Sequence, residues 1–147
     1  MPAKLDLANY LPYLVNRLGS ALVASMTANA LAQHDLTIDL WRALAVLAYR
    51  GPQRQVDLVA MTSVDASTMS RLVTKLVRLS LVTRRRSQTS SREVVIELTA
   101  EGRALVARII PFAQQLEHTA AAGVPAKDLA VVKRVLRRMY ENMAPGL

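Results

Sequence analysis

Cysteine is absent from this 147-residue sequence, which also has only one phenylalanine and one tryptophan. Without cysteine the chain can form no disulfide, no thiolate nucleophile and no thiolate-bound zinc site. No apolar run approaches the ~20 residues of a membrane span, and the N-terminus lacks the basic start and apolar centre of a secretory signal. These absences predict a soluble, cytoplasmic protein that does not enter a membrane.

Catalytic motifs are missing as well. The five glycines form no glycine-rich phosphate loop, and the sequence shows neither a Ser-His-Asp arrangement nor a carboxylate pair in an apolar frame. His34 and His118 lie far apart and have no acidic ligand cluster beside them. We therefore expect no enzymatic activity, no cofactor and no metal site.

Acidic residues are absent between Ala66 and Arg92, although the whole chain contains eleven. A basic stretch that is also structured favours docking on a polyanion such as double-stranded DNA. The basic residues of this stretch, in a chain whose formal net charge is +8, are Arg71, Lys75, Arg78, Arg84, Arg85, Arg86 and Arg92.

Four helices are predicted in the first half of the chain from apolar residues at three- and four-residue steps. The first is long and has Asn9 as its N-cap, and Thr37 caps the second. The third spans about Gln55 to Met61. Asp65 then caps a fourth helix, which runs to about Ser80.

The fourth predicted helix has an apolar side and a polar side without acids. It follows a tight turn and carries small hydroxyl residues near its start, which is the arrangement of a helix-turn-helix. Such a helix enters a major groove about 12 Å wide, where Arg and Lys reach guanine edges or phosphates. The residues expected to face DNA are Ser67, Thr68, Ser70, Arg71, Thr74, Lys75 and Arg78.

A β-hairpin is predicted directly after this helix, because β-branched residues flank a polar turn. Val82 and Thr83 begin its first strand, and Val94 to Leu98 form its second. A hairpin in this position is a wing, whose arginines are expected to follow the phosphate backbone while the tip reaches the neighbouring minor groove. These arginines are Arg84, Arg85, Arg86 and Arg92.

Long apolar stripes continue at both ends of the chain. Thr99 caps one further helix and Pro125 opens the last. Residues 5–33 and 100–144 carry more apolar stripe than a small winged region at residues 37–99 can cover, so we expect them to pair with a second copy. The predicted fold of residues 1–147 is mainly α with a small β-hairpin: a winged helix-turn-helix with long N- and C-terminal dimerisation helices.

Trp41 has two interpretations: it packs at the junction of the second helix and the dimerisation helices, or it borders an effector cleft. The same alternatives apply to Tyr13, Arg17, Met26 and Tyr49. Aromatic residues make up only 4% of the chain. A cleft here would therefore be mainly aliphatic and would suit an apolar or weakly acidic small molecule.

Three local motifs add to this pattern: Asp65-Ala66-Ser67-Thr68-Met69-Ser70-Arg71-Leu72-Val73, Leu81-Val82-Thr83-Arg84 and Leu98-Thr99-Ala100-Glu101-Gly102. In these motifs and in its order of elements, the chain resembles the multiple antibiotic resistance regulator (MarR) family of bacterial transcription factors. The resemblance implies a homodimer that binds a pseudo-palindromic operator, usually as a repressor. It also implies release of DNA when a small aromatic or phenolic effector occupies a cleft.

The tip of the wing departs from the family pattern. Family wings usually carry Asp-x-Arg, whereas this chain has Ser90-Ser91-Arg92. A serine hydroxyl holds a guanidinium less firmly than a carboxylate does. We therefore expect the arginine to contact the backbone and to read the minor groove less tightly.

Two functions are compatible with the sequence. The leading prediction is a sequence-specific DNA-binding transcriptional regulator that acts as a homodimeric repressor. The alternative is an effector-binding or protein-interaction module that keeps the winged architecture without binding a specific operator. Competitor DNA separates the two, because only specific binding survives it.

Overall fold

A computed structural model describes residues 1–89 and 92–144 of the chain. Most of this part is helical, and a small antiparallel sheet accompanies the helices, so the predicted fold class is confirmed. The elements in chain order are α1 (Leu11–Met26), α2 (Ile38–Arg50), β1 (Gln53–Arg54), α3 (Gln55–Thr62), α4 (Ala66–Arg78), β2 (Val82–Arg86), β3 (Val94–Leu98), α5 (Ala100–Ala120) and α6 (Ala126–Met143).

Three of the predicted helix caps are present. The Thr37 hydroxyl accepts a hydrogen bond from the Leu40 amide at 3.3 Å, at the start of α2. At the start of α4 the Asp65 carboxylate accepts from the Thr68 amide at 2.8 Å. At the start of α5 the Thr99 hydroxyl accepts from the Gly102 amide at 3.0 Å. Each cap satisfies a backbone donor that has no partner within its own helix.

The predicted N-cap of the first helix is wrong. Tyr10 occupies the cap position of α1 and makes no side-chain cap hydrogen bond. Asn9 instead ends a short 3-10 turn, and its side-chain amide donates to the Asp6 carboxylate at 2.7 Å. Asn side chains readily form such local hydrogen bonds, which compete with capping. Pro12 lies in the first turn of α1, as predicted.

Helical conformation continues beyond α1 in an altered form. A π-helical segment, Thr27–Leu31, leads into a 3-10 turn, Ala32–His34. Asp35 then adopts a left-handed conformation with φ 57° and ends the helical run. Within this segment Ala30 and Leu31 are buried, so it joins the exposed part of α1 to the core.

The sheet has the order β1-β3-β2, and all its pairings are antiparallel. The hairpin of β2 and β3 confirms the predicted wing, with Val82 opposite Leu98 and Arg86 opposite Val94. The short strand β1 was not predicted. It contains only Gln53 and Arg54, which show no apolar alternation, and it pairs with the middle of β3.

One apolar core joins the helices to the sheet. Its fully buried larger side chains come from α2, α3, α4, β3, α5 and the π-helical segment: Leu31, Leu40, Leu44, Leu58, Met69, Val73, Leu76, Ile96 and Ile109. Because α4 contributes three of them at helical spacing, its inward face is fixed and its opposite face must point outward.

The chain divides into two compact units, Met1–Leu116 and a second that begins at Glu117. The first contains the core described above. In the second, α6 has no buried residue along its described length, and Lys133 forms an ion pair with Glu117. None of the helices in the described ranges has the length and apolar character needed to cross a bilayer.

Candidate nucleic-acid interface

The turn between α3 and α4 sets the direction of α4. Ser63 adopts a left-handed conformation with φ 57°, and Val64 beside it is buried. Asp65 is extended and caps α4. The buried Val64 anchors the turn to the core, so the helix-turn-helix predicted from the sequence is present as a packed unit.

Asp65 organises the first turn of α4. Besides the Thr68 amide, its carboxylate accepts hydrogen bonds from the hydroxyls of Ser67 and Thr68, both at 2.8 Å. The Thr68 amide, followed by the two hydroxyls, lowers the pKa of Asp65 to about 2. Because both hydroxyl hydrogens point to Asp65, the oxygens keep lone pairs that can accept from amino groups on base edges.

Arg71 extends this network along the outward face of α4. One terminal nitrogen of its guanidinium donates to the Thr68 hydroxyl at 3.2 Å. Since a guanidinium has five N–H donors in a fixed plane, this contact orients the group and leaves other donors for a guanine edge or a phosphate. Arg71 and Ser70 beside it are exposed.

Lys75 and Arg78 lie further along α4. The Lys75 ammonium is 3.6 Å from the Asp35 carboxylate, which is 77% exposed. An ion pair this exposed is weak, so a phosphate can compete for the lysine. Arg78 is exposed, and in the described part of the chain its guanidinium has no hydrogen-bond or ion-pair partner.

The three consecutive arginines of β2 have different surroundings. Arg84 donates to the Ser70 carbonyl at 3.1 Å and to the Thr74 hydroxyl at 2.9 Å, both on α4. Arg85 forms an ion pair with Glu97 on β3, at 2.5 Å. The Arg86 guanidinium has no partner among residues 1–89 and 92–144, and its side chain is exposed.

A charged cluster near the turn end of the wing was missed by the sequence analysis. Arg54 of β1 binds the Asp57 carboxylate at 2.8 and 3.1 Å and the Glu93 carboxylate at 2.8 Å. The hydrogen bond to Asp57, followed by that to Glu93, raises the pKa of Arg54, while Arg54 lowers the pKa of Asp57. Arg54 and Glu93 are 39 positions apart, so no local pattern signals their contact.

The Arg54 cluster neutralises the acid next to Arg92. Glu93 directly follows the basic stretch, and its carboxylate is held by Arg54. Arg92 itself is exposed. Its predicted relation to Ser90 and Ser91 lies outside the described residues.

The predicted effector residues occupy different environments. The Arg17 guanidinium lies 5.7 Å from the centre of the Tyr13 ring, in reach of a cation–π contact. Met26 is buried in the core, and the partly buried Trp41 packs against the core. Tyr49 is 87% exposed. The structure thus brings Arg17 and Tyr13 together, and an effector role for the five residues stays a prediction.

A mainly aliphatic cavity of about 250 Å³ lies between α2, the sheet and α5. Its polar side chains are Glu97, already paired with Arg85, and Arg103, which donates to the Leu98 carbonyl at 2.9 Å. The apolar part of its lining comes from Leu47, Ala48, Pro52, Leu98, Ala107 and Ile110. The cleft predicted from the sequence was also mainly aliphatic, and its use by an effector stays a prediction.

The chain is similar to a family of regulators and to known transcriptional repressors. The model of the MarR family matches residues 34–93. The HTH-type transcriptional repressor Rv2887 of Mycobacterium tuberculosis (strain H37Rv) is 32% identical over 133 residues, covering 90% of this chain and 92% of that protein. The HTH-type transcriptional repressor NicR of Pseudomonas putida is 30% identical over 108 residues, covering 74% and 68%.

A solved structure shares the fold. The structure of BpsR from Bordetella bronchiseptica has a TM-score of 0.84 and 24% identity, and the match covers 95% of this chain and 99% of that chain. That structure concerns the regulation of BpsR DNA binding by 6-hydroxynicotinic acid.

Proposed function

This chain belongs to the MarR family, and from that membership we propose that it is a homodimeric repressor of a pseudo-palindromic operator whose release is triggered by a small apolar or aromatic effector. The observation that carries the proposal is the outward face of α4. Its acid-free run of hydroxyl and basic side chains is held by a buried opposite face and flanked by the arginines of the wing.

The two parts of this surface suit different parts of DNA. We assign base contacts to Ser67, Thr68, Ser70 and Arg71, because hydroxyls and a guanidinium match the hydrogen-bonding edges of the major groove. We assign backbone contacts to Lys75, Arg78, Arg86 and Arg92, because exposed cations bind phosphates without regard to sequence. The names of Rv2887 and NicR as transcriptional repressors support a repressor of transcription. Such a regulator would act in the cytoplasm.

Exposed apolar side chains on both terminal helices support a homodimer. On α1 they include Leu11, Leu14 and Leu18, and on α6 they include Val132 and Leu136. Each helix exposes an apolar stripe, and exposure of apolar surface to water is unfavourable. Packing against a second copy would remove both stripes from solvent. A dimer would also present two copies of α4, as a pseudo-palindrome requires.

The effector part of the proposal has two supports. One is the aliphatic cavity between α2, the sheet and α5, which adjoins the wing through Glu97 and Leu98. The other is the structural similarity to BpsR, whose DNA binding is regulated by 6-hydroxynicotinic acid. An apolar or weakly acidic ring compound would suit such a cleft. The residues predicted from the sequence to contact an effector, Tyr13, Arg17, Met26, Trp41 and Tyr49, are not among those that line this cavity, so their contact with an effector is a separate prediction.

Selection of bound fragments from genomic DNA by the purified protein tests the proposal. We expect a pseudo-palindromic sequence with half-sites about 10 base pairs apart, and binding that survives excess competitor DNA. A logarithmic plot of affinity against salt concentration should have a steep negative slope. Weak binding of all sequences alike, or no binding, would support the alternative of a module without operator specificity.

A further inference from the structure

We propose that Arg84 is a positioning residue that locks the wing to α4, and that sequence discrimination depends on this lock. We name the contact of Arg84 with Thr74 and the Ser70 carbonyl the wing clamp. The part that concerns DNA rests on the proposed function. The geometry itself is a property of the free protein and can be tested without DNA.

The register of the wing directs Arg84 toward α4. Side chains alternate between the two faces of a strand, and Val82, two positions before Arg84, is buried. Arg84 lies opposite Ile96, which is fully buried. The face of β2 that carries Arg84 therefore looks toward the helices, whereas Arg85 on the other face meets Glu97.

The contacts of the wing clamp join two positions one helical turn apart. A single guanidinium nitrogen of Arg84 reaches the Ser70 carbonyl at 3.1 Å and the Thr74 hydroxyl at 2.9 Å. The Thr74 hydroxyl in turn donates to the same Ser70 carbonyl at 2.9 Å. Thr74 is thus a hydrogen-bond partner of the wing, although its sequence position predicted a contact with DNA.

Arginine is required here for its shape as well as for its charge. The terminal nitrogen that reaches both α4 oxygens is held in the fixed plane of the guanidinium, while a lysine ammonium is a point charge that rotates on a flexible stem. Hydrogen bonds from a charged donor are also stronger than neutral ones. Replacement by lysine should therefore keep the charge and lose the geometry.

The position of the clamp explains its effect on discrimination. Ser70 and Arg71 are adjacent on the face assigned to base contacts, and the clamp holds the Ser70 backbone. Base recognition needs bidentate groups at fixed positions, whereas phosphate attraction tolerates displacement. A loosened clamp should therefore weaken operator binding more than binding to unrelated DNA.

The first experiment compares Arg84→Lys with Arg86→Ala, using the selected operator and a scrambled duplex of equal length. Arg84→Lys should lower the ratio of operator affinity to scrambled affinity about tenfold and leave the salt slope unchanged. Arg86→Ala should weaken both duplexes alike and reduce the slope by about one ion per subunit. If Arg84→Lys keeps the ratio, or weakens both duplexes equally, the inference is overturned.

The second experiment uses the free protein. Thr74→Val removes the hydroxyl but keeps the branched shape, and Thr74→Ser keeps the hydroxyl. Thr74→Val is introduced into the wild type and into Arg84→Lys, and the denaturant midpoint of each protein is measured. The midpoint should fall clearly more in the wild-type background, because only there does the substitution remove the contact with Arg84. Thr74→Ser should retain this contact. Equal effects in both backgrounds overturn the clamp.

The two experiments also separate this inference from the proposed function. If the wild type shows no operator but the coupling between Thr74 and Arg84 is present, the clamp stands and the repressor proposal fails. If the wild type binds an operator and the coupling is absent, the repressor proposal stands and the clamp fails.

Discussion

Gly102 shows how strongly one residue depends on its surroundings. It lies in the first turn of α5, where the helix approaches the chain leaving α4. A Cβ atom at this position would be 2.1 Å from the Leu81 carbonyl oxygen. That carbonyl also accepts a hydrogen bond from the backbone amide of Thr99 at 3.0 Å, so it cannot move away without weakening this hydrogen bond.

Gly102→Ala should therefore destabilise the protein by about 1 to 3 kcal/mol, as expected for overpacking against backbone. Urea unfolding followed by circular dichroism measures this change. The matched control is Gly19→Ala within α1, where a Cβ atom meets nothing within 4 Å. The control should stabilise the helix by about 0.5 to 1 kcal/mol. Equal effects of the two substitutions would contradict the close approach.

Asp65 leads to a prediction about the stability of the fold in acid. Its pKa is about 2 in the folded protein, below the ordinary value of 3.8. A lowered folded pKa means that the carboxylate stabilises the fold above pH 3.8, and that this contribution is lost as pH falls toward 2. Urea unfolding at several pH values should show the loss, and Asp65→Asn should flatten the curve in that window. A variant curve parallel to the wild type would refute this assignment.

At the scale of the element, α4 combines a buried face with an outward face that we propose contacts DNA. We predict that Arg71 on this face reads a base, because the Thr68 hydroxyl fixes one side of its guanidinium. The hydroxyl is itself held by Asp65. Orientation of a planar donor by a neighbouring acceptor is what bidentate recognition of guanine requires.

Arg71→Ala should cost about 1 to 3 kcal/mol of binding free energy on the operator and relax discrimination at one base position. Fluorescence anisotropy with single-base variants of the operator measures both. Arg138→Ala on α6, whose guanidinium is 3.8 Å from Glu141, is the control and should leave affinity unchanged. An equal loss on random DNA would show that Arg71 only contacts phosphate.

The wing is the element for which sequence and structure differ most. The hairpin was predicted because β-branched residues of both strands lie close together in the chain. Strand β1 and the Arg54 cluster were not, since two polar residues carry no period and Glu93 lies 39 positions from Arg54. Arg84, Arg85 and Arg86 were predicted to share contacts with phosphates. In the structure Arg84 contacts α4 and Arg85 pairs with Glu97 of β3.

At the scale of the whole molecule, the exposed apolar face of α6 leads to a prediction about association of two copies. Val132 and Leu136 are 46% and 43% exposed and lie four positions apart, on one side of the helix. The proposed dimer would bury them. Because neither contributes to the core, replacing them should alter association and leave the fold intact.

The double variant Val132→Glu, Leu136→Glu should be monomeric in sedimentation velocity and should bind the operator about 10²-fold more weakly, since the second half-site no longer adds to affinity. Its far-ultraviolet circular dichroism should match the wild type. Lys127→Glu, in the first turn of the same helix, is the control and should remain dimeric. A double variant that stays dimeric would rule out α6 as part of the interface.

The order of helices, three of their four predicted N-caps, the two faces of α4 and the wing hairpin followed from the amino-acid sequence. Each depends on residues within about one helical turn or on neighbouring strands, where spacing alone carries the information. The partners of Arg84 and Arg54 and the narrow space at Gly102 were set by folding. These contacts join elements that lie far apart in the chain and that folding brings together, and no periodicity along the chain encodes which groups meet there.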